Sequence, residues 1–230
     1  MNYFLIQFGY SKLILILFLL GVFSFFLGKF IKHKSLYPFM PFRYDFRKRR
    51  NTYKRVLSLL EKTKAKVLIE TGTSREGLNG AKSNGAATIV YGKWAKLNKA
   101  HLHSVDISDK SIRIARQEVE KQNLSSNVTL HLNDSVEFLN KFEEKVDFLY
   151  LDSYDYTKDK AQQLLSQKHH LAEFIAIEDK LHKNTIILID DCDLEGGGKG
   201  KLVIEYMKEK DWLIEMEAYQ ILLLHKKFSS

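Results

Sequence analysis

Five short apolar or β-branched runs recur along the chain, each separated from the next by a stretch with helical spacing. The runs are KVLIE (66–70), HLHSVD (101–106), NVTLHL (127–132), DFLYLD (147–152) and TIILID (185–190), with helical stretches over about 86–97, 109–123, 134–142 and 161–182. Strands joined through helices of that length need right-handed crossovers, which build a parallel sheet covered on both faces. Upstream, Tyr53, Val56, Leu57 and Leu60 recur at helical spacing and predict an amphipathic helix over 45–62. Downstream, a helix over 200–210 precedes WLIEM and QILLLHK, which lie too close together to hold a helix between them. That tail predicts an antiparallel hairpin on the sheet edge.

Length and charge narrow the reading. With 230 residues there is room for one good-sized domain and an appendage. The net charge of +8 comes wholly from the first fifty residues, which hold nine basic side chains and one acid, Asp45. The globular part is balanced and has no basic excess with which to bind a phosphate backbone, so nucleic acid is not an expected partner. Cys192 is the only cysteine, which rules out an intrachain disulfide and suits a reducing compartment.

The segment LILILFLLGVFSFFL (13–27) carries no charge. Counted from Tyr3, the apolar stretch reaches the roughly 20 residues a spanning helix needs, with Lys12 as its one charged interruption. No basic residue precedes it within MNYFL, and GKFIKHK follows in place of a small-residue cleavage site, so an uncleaved membrane anchor is expected over a signal peptide. Eight of the nine basic residues follow the run, which by the positive-inside rule puts the downstream domain in the cytoplasm. Lys29, Lys32, Lys34 and the RKRR run at 47–50 are read either as contacts to anionic lipid or as a topology signal alone. Pro38 and Pro41 suit a short stiff linker. The expected organisation is an anchor with its basic flank over 1–34, a linker over 35–50 and a globular domain over 51–230.

Polar residues gather where the predicted strands end: Glu70, Asp106, Asp152, and Asp190 with Asp191. In an open parallel sheet ligands bind beyond the carboxyl ends of the strands. The stretch IILIDDCD (186–193) is the sharpest case, because adjacent carboxylates resist ionisation unless a cation or a hydrogen-bonded site compensates them.

Five crossover strands, a terminal hairpin, a glycine loop after the first strand and an acid ending the second resemble the class I S-adenosylmethionine-dependent methyltransferases. The resemblance spans about residues 50–227 and implies an α/β fold, a Rossmann-like doubly wound, mostly parallel seven-stranded sheet with a C-terminal antiparallel hairpin, here preceded by one transmembrane helix. VLIETGTS looks like that family's first motif, with Gly72 and Ser74 against the cofactor and Glu70 near its amino end. Asp106 matches the acid that receives the two ribose hydroxyls, and Asp134 and Ser135 match the turn facing adenine. The motif departs from the family's alternating glycines, since Thr73 and Ser74 follow Gly72 and an extended loop, REGLNGAKSNG, delays the next helix. No G-x-G-x-x-G is present, which disfavours a dinucleotide site.

DFLYLDSYDY and ILIDDCD are similar to the fourth and fifth strand ends of the cation-dependent O-methyltransferases of the catechol and macrocin types. This implies a divalent cation, Mg2+ by family, held by Asp152, Asp190 and Asp191 and lowering the pKa of an acceptor hydroxyl. Asp152, Asp155, His169 and His170 are the catalytic candidates, with Lys158 also in reach of the base role and Tyr154 and Tyr156 as acceptor-pocket candidates. EGGGKGK (195–201) lacks phosphate-loop spacing and reads as a substrate-side loop whose Lys199 or Lys201 meets an anionic substrate, or as a solvated loop. The expected activity is methylation of a hydroxyl on a small molecule, sugar or lipid-linked glycan. A membrane-tethered adaptor for a nucleotide-like ligand, or a metal-dependent hydrolase or hydroxylase on the same fold, are the alternatives.

Overall fold

The computed structural model describes residues 2–33 and 38–228. Lys34 and the start of the expected linker at 35–37 lie outside the described residues. The chain divides into two units, Met1–Arg43 and Tyr44–Ser230. The first holds helix α1 (Asn2–His33). Its Tyr10–Gly28 stretch has a mean hydropathy of 2.3 and buries none of its residues, so it is long and apolar enough to cross a membrane.

The second unit opens with α2 (Arg49–Thr63) and then alternates. β1 (Val67–Thr71) leads through a loop containing the short helix α3 (Ala81–Asn84) to α4 (Ala87–Asn98) and β2 (His101–Asp106). α5 (Asp109–Lys121), β3 (Val128–Leu132), α6 (Ser135–Asn140) and β4 (Val146–Leu151) follow. α7 (Lys160–Ile177), β5 (Leu181–Ile189), α8 (Lys201–Met207), β6 (Trp212–Glu217) and β7 (Ile221–His225) complete the chain.

The seven strands form one sheet in the order β3-β2-β1-β4-β5-β7-β6, parallel from β1 to β5, with β7 antiparallel to both β5 and β6. The α/β architecture read from the periodicity is therefore the observed one. The central strands carry unbroken apolar runs because both sheet faces are covered: Leu68, Ile69, Phe148, Leu149, Leu151 and Ile186–Ile189 are all fully buried. Three helices start on side-chain caps, with Ser108 accepting from Ser111 N–H, Asp134 from Glu137 N–H, and Asp159 from both Ala161 and Gln162 N–H.

Several boundaries differ from expectation, among them the start of α2, at Arg49 and not at 45. The loop after β1 is not wholly irregular, since Gly77–Gly80 form a 3-10 turn ahead of α3. α7 stops at Ile177 and a 3-10 turn over Glu178–Lys180 intervenes, so β5 begins at Leu181 and pairs with Val146 before a register shift brings Ile186 opposite Phe148. A bulge adds residues without breaking the ladder, which apolar periodicity does not reveal.

Candidate active site

The order of strands reverses between β1 and β4, and that switch point is where an open sheet holds its ligand. Pairing continues one residue beyond each strand end. Gly72 N–H donates to Val105 O (2.8 Å), Asp152 N–H to Thr71 O (3.0 Å) and Asp190 N–H to Leu151 O (3.1 Å). These bonds carry Gly72, Asp106, Asp152 and Asp190 to one edge of the sheet. Gly72 is required there: its φ is +82°, and a Cβ would fall 2.4 Å from the Asp152 carbonyl oxygen.

Two cavities meet at Gly72. The first, about 230 Å³, lies over β2 and the start of α6, lined by Asp106, Ile107, Asp134, Ser135, Tyr154 and His169. Asp106 is aimed by its own loop, accepting from Thr73 N–H (3.1 Å) and Ser108 N–H (2.8 Å). Ile107 beside it is 75% exposed, an apolar face left open at the cavity. Ser135 Oγ lies 3.0 Å from His169 Nε2. Burial opposes charge on His169, but the buried Glu173, 3.4 Å away, outweighs it and raises the imidazole above its ordinary range.

The second cavity, about 140 Å³, is strongly polar and runs from Gly72 to the end of β5. Glu70 lies at its floor, its Oε2 accepting from Ser104 (2.6 Å) and Thr88 (2.7 Å), and burial pushes its carboxyl up to about 7. Ser74 also lines it, fastened to α4 by Thr88 N–H. Arg75 and Asp155 form an ion pair (2.8 Å) at the rim.

The three predicted acids do converge: carboxylate oxygens of Asp152, Asp190 and Asp191 lie within 4.8 Å of one another. What neutralises them was not foreseen. Arg49 grips both oxygens of Asp190, with Nε 3.0 Å from each and Nη2 2.6 Å from Oδ2, and lies 3.6 Å from Asp191. Lys199 Nζ lies 2.6 Å from Asp152 Oδ1 and 3.2 Å from Asp191 Oδ2. Tyr219 Oη bonds the other Asp191 oxygen, and Tyr150 Oη donates to Asp152 Oδ2 (3.3 Å). All six carboxylate oxygens thus have a protein donor. Burial opposes charge on Arg49 and Lys199, yet the aspartates beside them outweigh it and hold both cations well above their ordinary pKa. Asp191 itself sits in the left-handed region (φ 50°), which Asp tolerates better than most residues other than glycine.

Donor chemistry alone would suit a hard cation, but a divalent ion seeks six or more oxygen ligands and these are bonded to an ammonium and a guanidinium 2.6 to 3.2 Å away. As arranged, with every carboxylate oxygen already held by a protein donor, the residues do not fit a metal.

Several expectations are corrected. His170 is fully buried and lines neither cavity; its Nδ1 donates to Ser166 O (2.7 Å), and burial lowers its pKa to about 4, so it is a core histidine and not a base. His169 faces the first cavity, away from the acidic cluster. Asp155 is tied to Arg75, and Lys158 is exposed. Tyr154 lines the first cavity, whereas Tyr156 donates to Glu195 O (2.6 Å). Within the RKRR run Arg49 is withdrawn from the surface, 5% exposed, while Lys48 forms an exposed pair with Asp193 (2.7 Å). Lys199 is buried against acids while Lys201 is exposed.

Comparison with known proteins agrees with the geometry. A family model described as "Methyltransferase domain" matches residues 82–192. No curated protein sequence matches the chain. Among solved structures, a methyltransferase from Podospora anserina with S-adenosylhomocysteine bound is similar at 15% identity and a TM-score of 0.56, over 79% of this chain and 80% of that one. An O-methyltransferase from Bacillus cereus in complex with S-adenosylhomocysteine is similar at 16% identity and a TM-score of 0.55, over 76% and 81%. The sheet order is that of the class I methyltransferase fold, and the matched segment carries a methyltransferase domain within it. The chain's solved neighbours include an O-methyltransferase.

Proposed function

We propose that the chain moves the methyl group of S-adenosylmethionine onto a hydroxyl of a small, polar, sugar-like acceptor. The observation that carries this reading is the pair of cavities meeting at Gly72, one part-apolar and one polar. In the first, Asp106 accepts the ribose hydroxyls, a carboxylate being able to take both, and Ile107, Asp134 and Ser135 border the adenine. Glu70 meets the ammonium of the methionine portion, with Gly72 and Ser74 against its backbone. A buried acid poised near neutrality ionises fully when a cation arrives beside it.

The methionine portion enters the polar cavity at its Glu70 and Ser74 end, and the acceptor occupies the remainder toward the end of β5. Its lining offers Arg49, Ser83, Asn84, Asp152, Lys199 and the Tyr219 hydroxyl, and no aliphatic side chain, which suits a polyhydroxylated ring better than an aromatic one. The cofactor supplies a methyl on a sulfonium leaving group, so the protein has mainly to position the two reactants. As the S–CH3 bond breaks, its electron pair stays on sulfur; the O–CH3 bond forms, and the hydroxyl proton passes to Asp152, which lines the polar cavity. α1 supports a membrane anchor, and the basic excess after it supports a cytoplasmic domain. Tethering raises the effective concentration of the domain near a lipid-linked acceptor.

Calorimetry of the full chain with S-adenosylhomocysteine tests the cofactor site. Asp106→Ala should weaken binding at least about tenfold, or about 1.4 kcal/mol; equal affinity would reject the assignment. Fractionation of expressing cells should recover the chain with membranes, and a soluble chain would remove the anchor.

A further inference from the structure

We infer that Lys199 is the resident cation of the acceptor site, standing where a divalent metal ion would otherwise bridge Asp152 and Asp191, with Arg49 neutralising Asp190 behind it. The inference rests on the proposed reading of the polar cavity as the acceptor side.

Lys199 is delivered by its loop and does not arrive by chance of rotamer. Gly198 has φ +60°, and a Cβ there would fall 2.0 Å from the Asp191 carbonyl oxygen, so the loop lies directly on the strand end. The next N–H, of Lys199, donates to that same carbonyl (3.1 Å). Gln167 Nε2 donates to Gly196 O and Gly198 O (both 3.1 Å), pinning the loop from the α7 side. The Lys199 side chain is 2% exposed yet lines the cavity. Three acids facing two fixed cations carry a net charge of −1; adding a divalent ion would make it +1 in a buried site, with Nζ and the incoming ion competing for the same oxygens.

The substitution has a chemical consequence. An ammonium has three N–H donors, of which Asp152 and Asp191 take two. The third is left for the acceptor oxygen. Lys199 therefore holds the acceptor by a charge-assisted hydrogen bond beside Asp152, the task a bound metal would share with its own coordination sphere.

The test is Mn2+ binding to the full-length chain in detergent, with S-adenosylhomocysteine present, followed by the electron paramagnetic resonance of the free ion. Wild type should take up no Mn2+ into the millimolar range, while Lys199→Ala, and Lys199→Gln as a milder change, should gain a site at least about tenfold tighter. Wild-type binding as tight as that of the variants would overturn the inference, and so would variants that keep S-adenosylhomocysteine affinity but gain no Mn2+ site. Should the variants fail to fold, the wild-type titration decides alone. Loss of S-adenosylhomocysteine binding by wild type would instead reject the methyltransferase reading of the cavities, so the two failures are distinct.

Discussion

Arg49 and Asp190 stand 141 residues apart and form a buried two-point ion pair, Nη2 lying 2.6 Å and Nε 3.0 Å from the carboxylate. The pair fastens the first turn of α2 to the end of β5, and the Tyr219 ring stacks over the guanidinium at 4.8 Å.

Removing one partner should leave the other charged and buried. Arg49→Met is expected to destabilise the domain by about 3–5 kcal/mol, whereas Arg49→Met with Asp190→Leu should recover much of that loss, because a matched apolar pair escapes the desolvation penalty. Chemical unfolding of the two variants followed by circular dichroism gives the comparison, and an equal loss in both would show that the pair itself stabilises.

Gly72→Ala places a methyl group 2.4 Å from the Asp152 carbonyl oxygen in a left-handed backbone. The β1 and β4 ends must then separate, moving the floor shared by both cavities. Affinity for S-adenosylhomocysteine should fall by at least about tenfold, alongside a drop of about 1–3 kcal/mol in stability. Unchanged calorimetry would mean that the close approach is dispensable.

His170 makes stability depend on pH in a defined direction. Burial holds it neutral in the fold, with a pKa of about 4 against 6.5 for the free side chain; Glu173 opposes that effect, while Lys199 and His169 reinforce it. The unfolded chain binds a proton that the fold refuses, so stability falls as pH drops from 6.5 towards 4, by about 3 kcal/mol from this group. His170→Leu should flatten the melting temperature over that window relative to wild type, while a parallel profile would assign the acid sensitivity to other groups.

Much of this was legible along the chain because it is local. A strand's apolar run, the serine or aspartate before a helix and the acid at a strand end each report on neighbours a few residues away. The order of runs and crossovers led to the sheet, and Asp106, Asp134 and Ser135, singled out through the family resemblance, line one cavity at its edge. His170 shows where it fails: its spacing with Phe174 and Ile177 fits a packed helix face as well as a site, and only burial separates the two.

Arg49 and Lys199 mark the deeper limit. In sequence, one is the third letter of a basic run and the other follows three glycines, and neither spacing names an acid partner. Periodicity and capping determined the sheet, its helices and the edge at which IILIDDCD releases its carboxylates. Only the tertiary structure decided which cations answer them, because ion pairing depends on distance through space, and the chain spends 141 residues bringing Arg49 within 2.6 Å of Asp190.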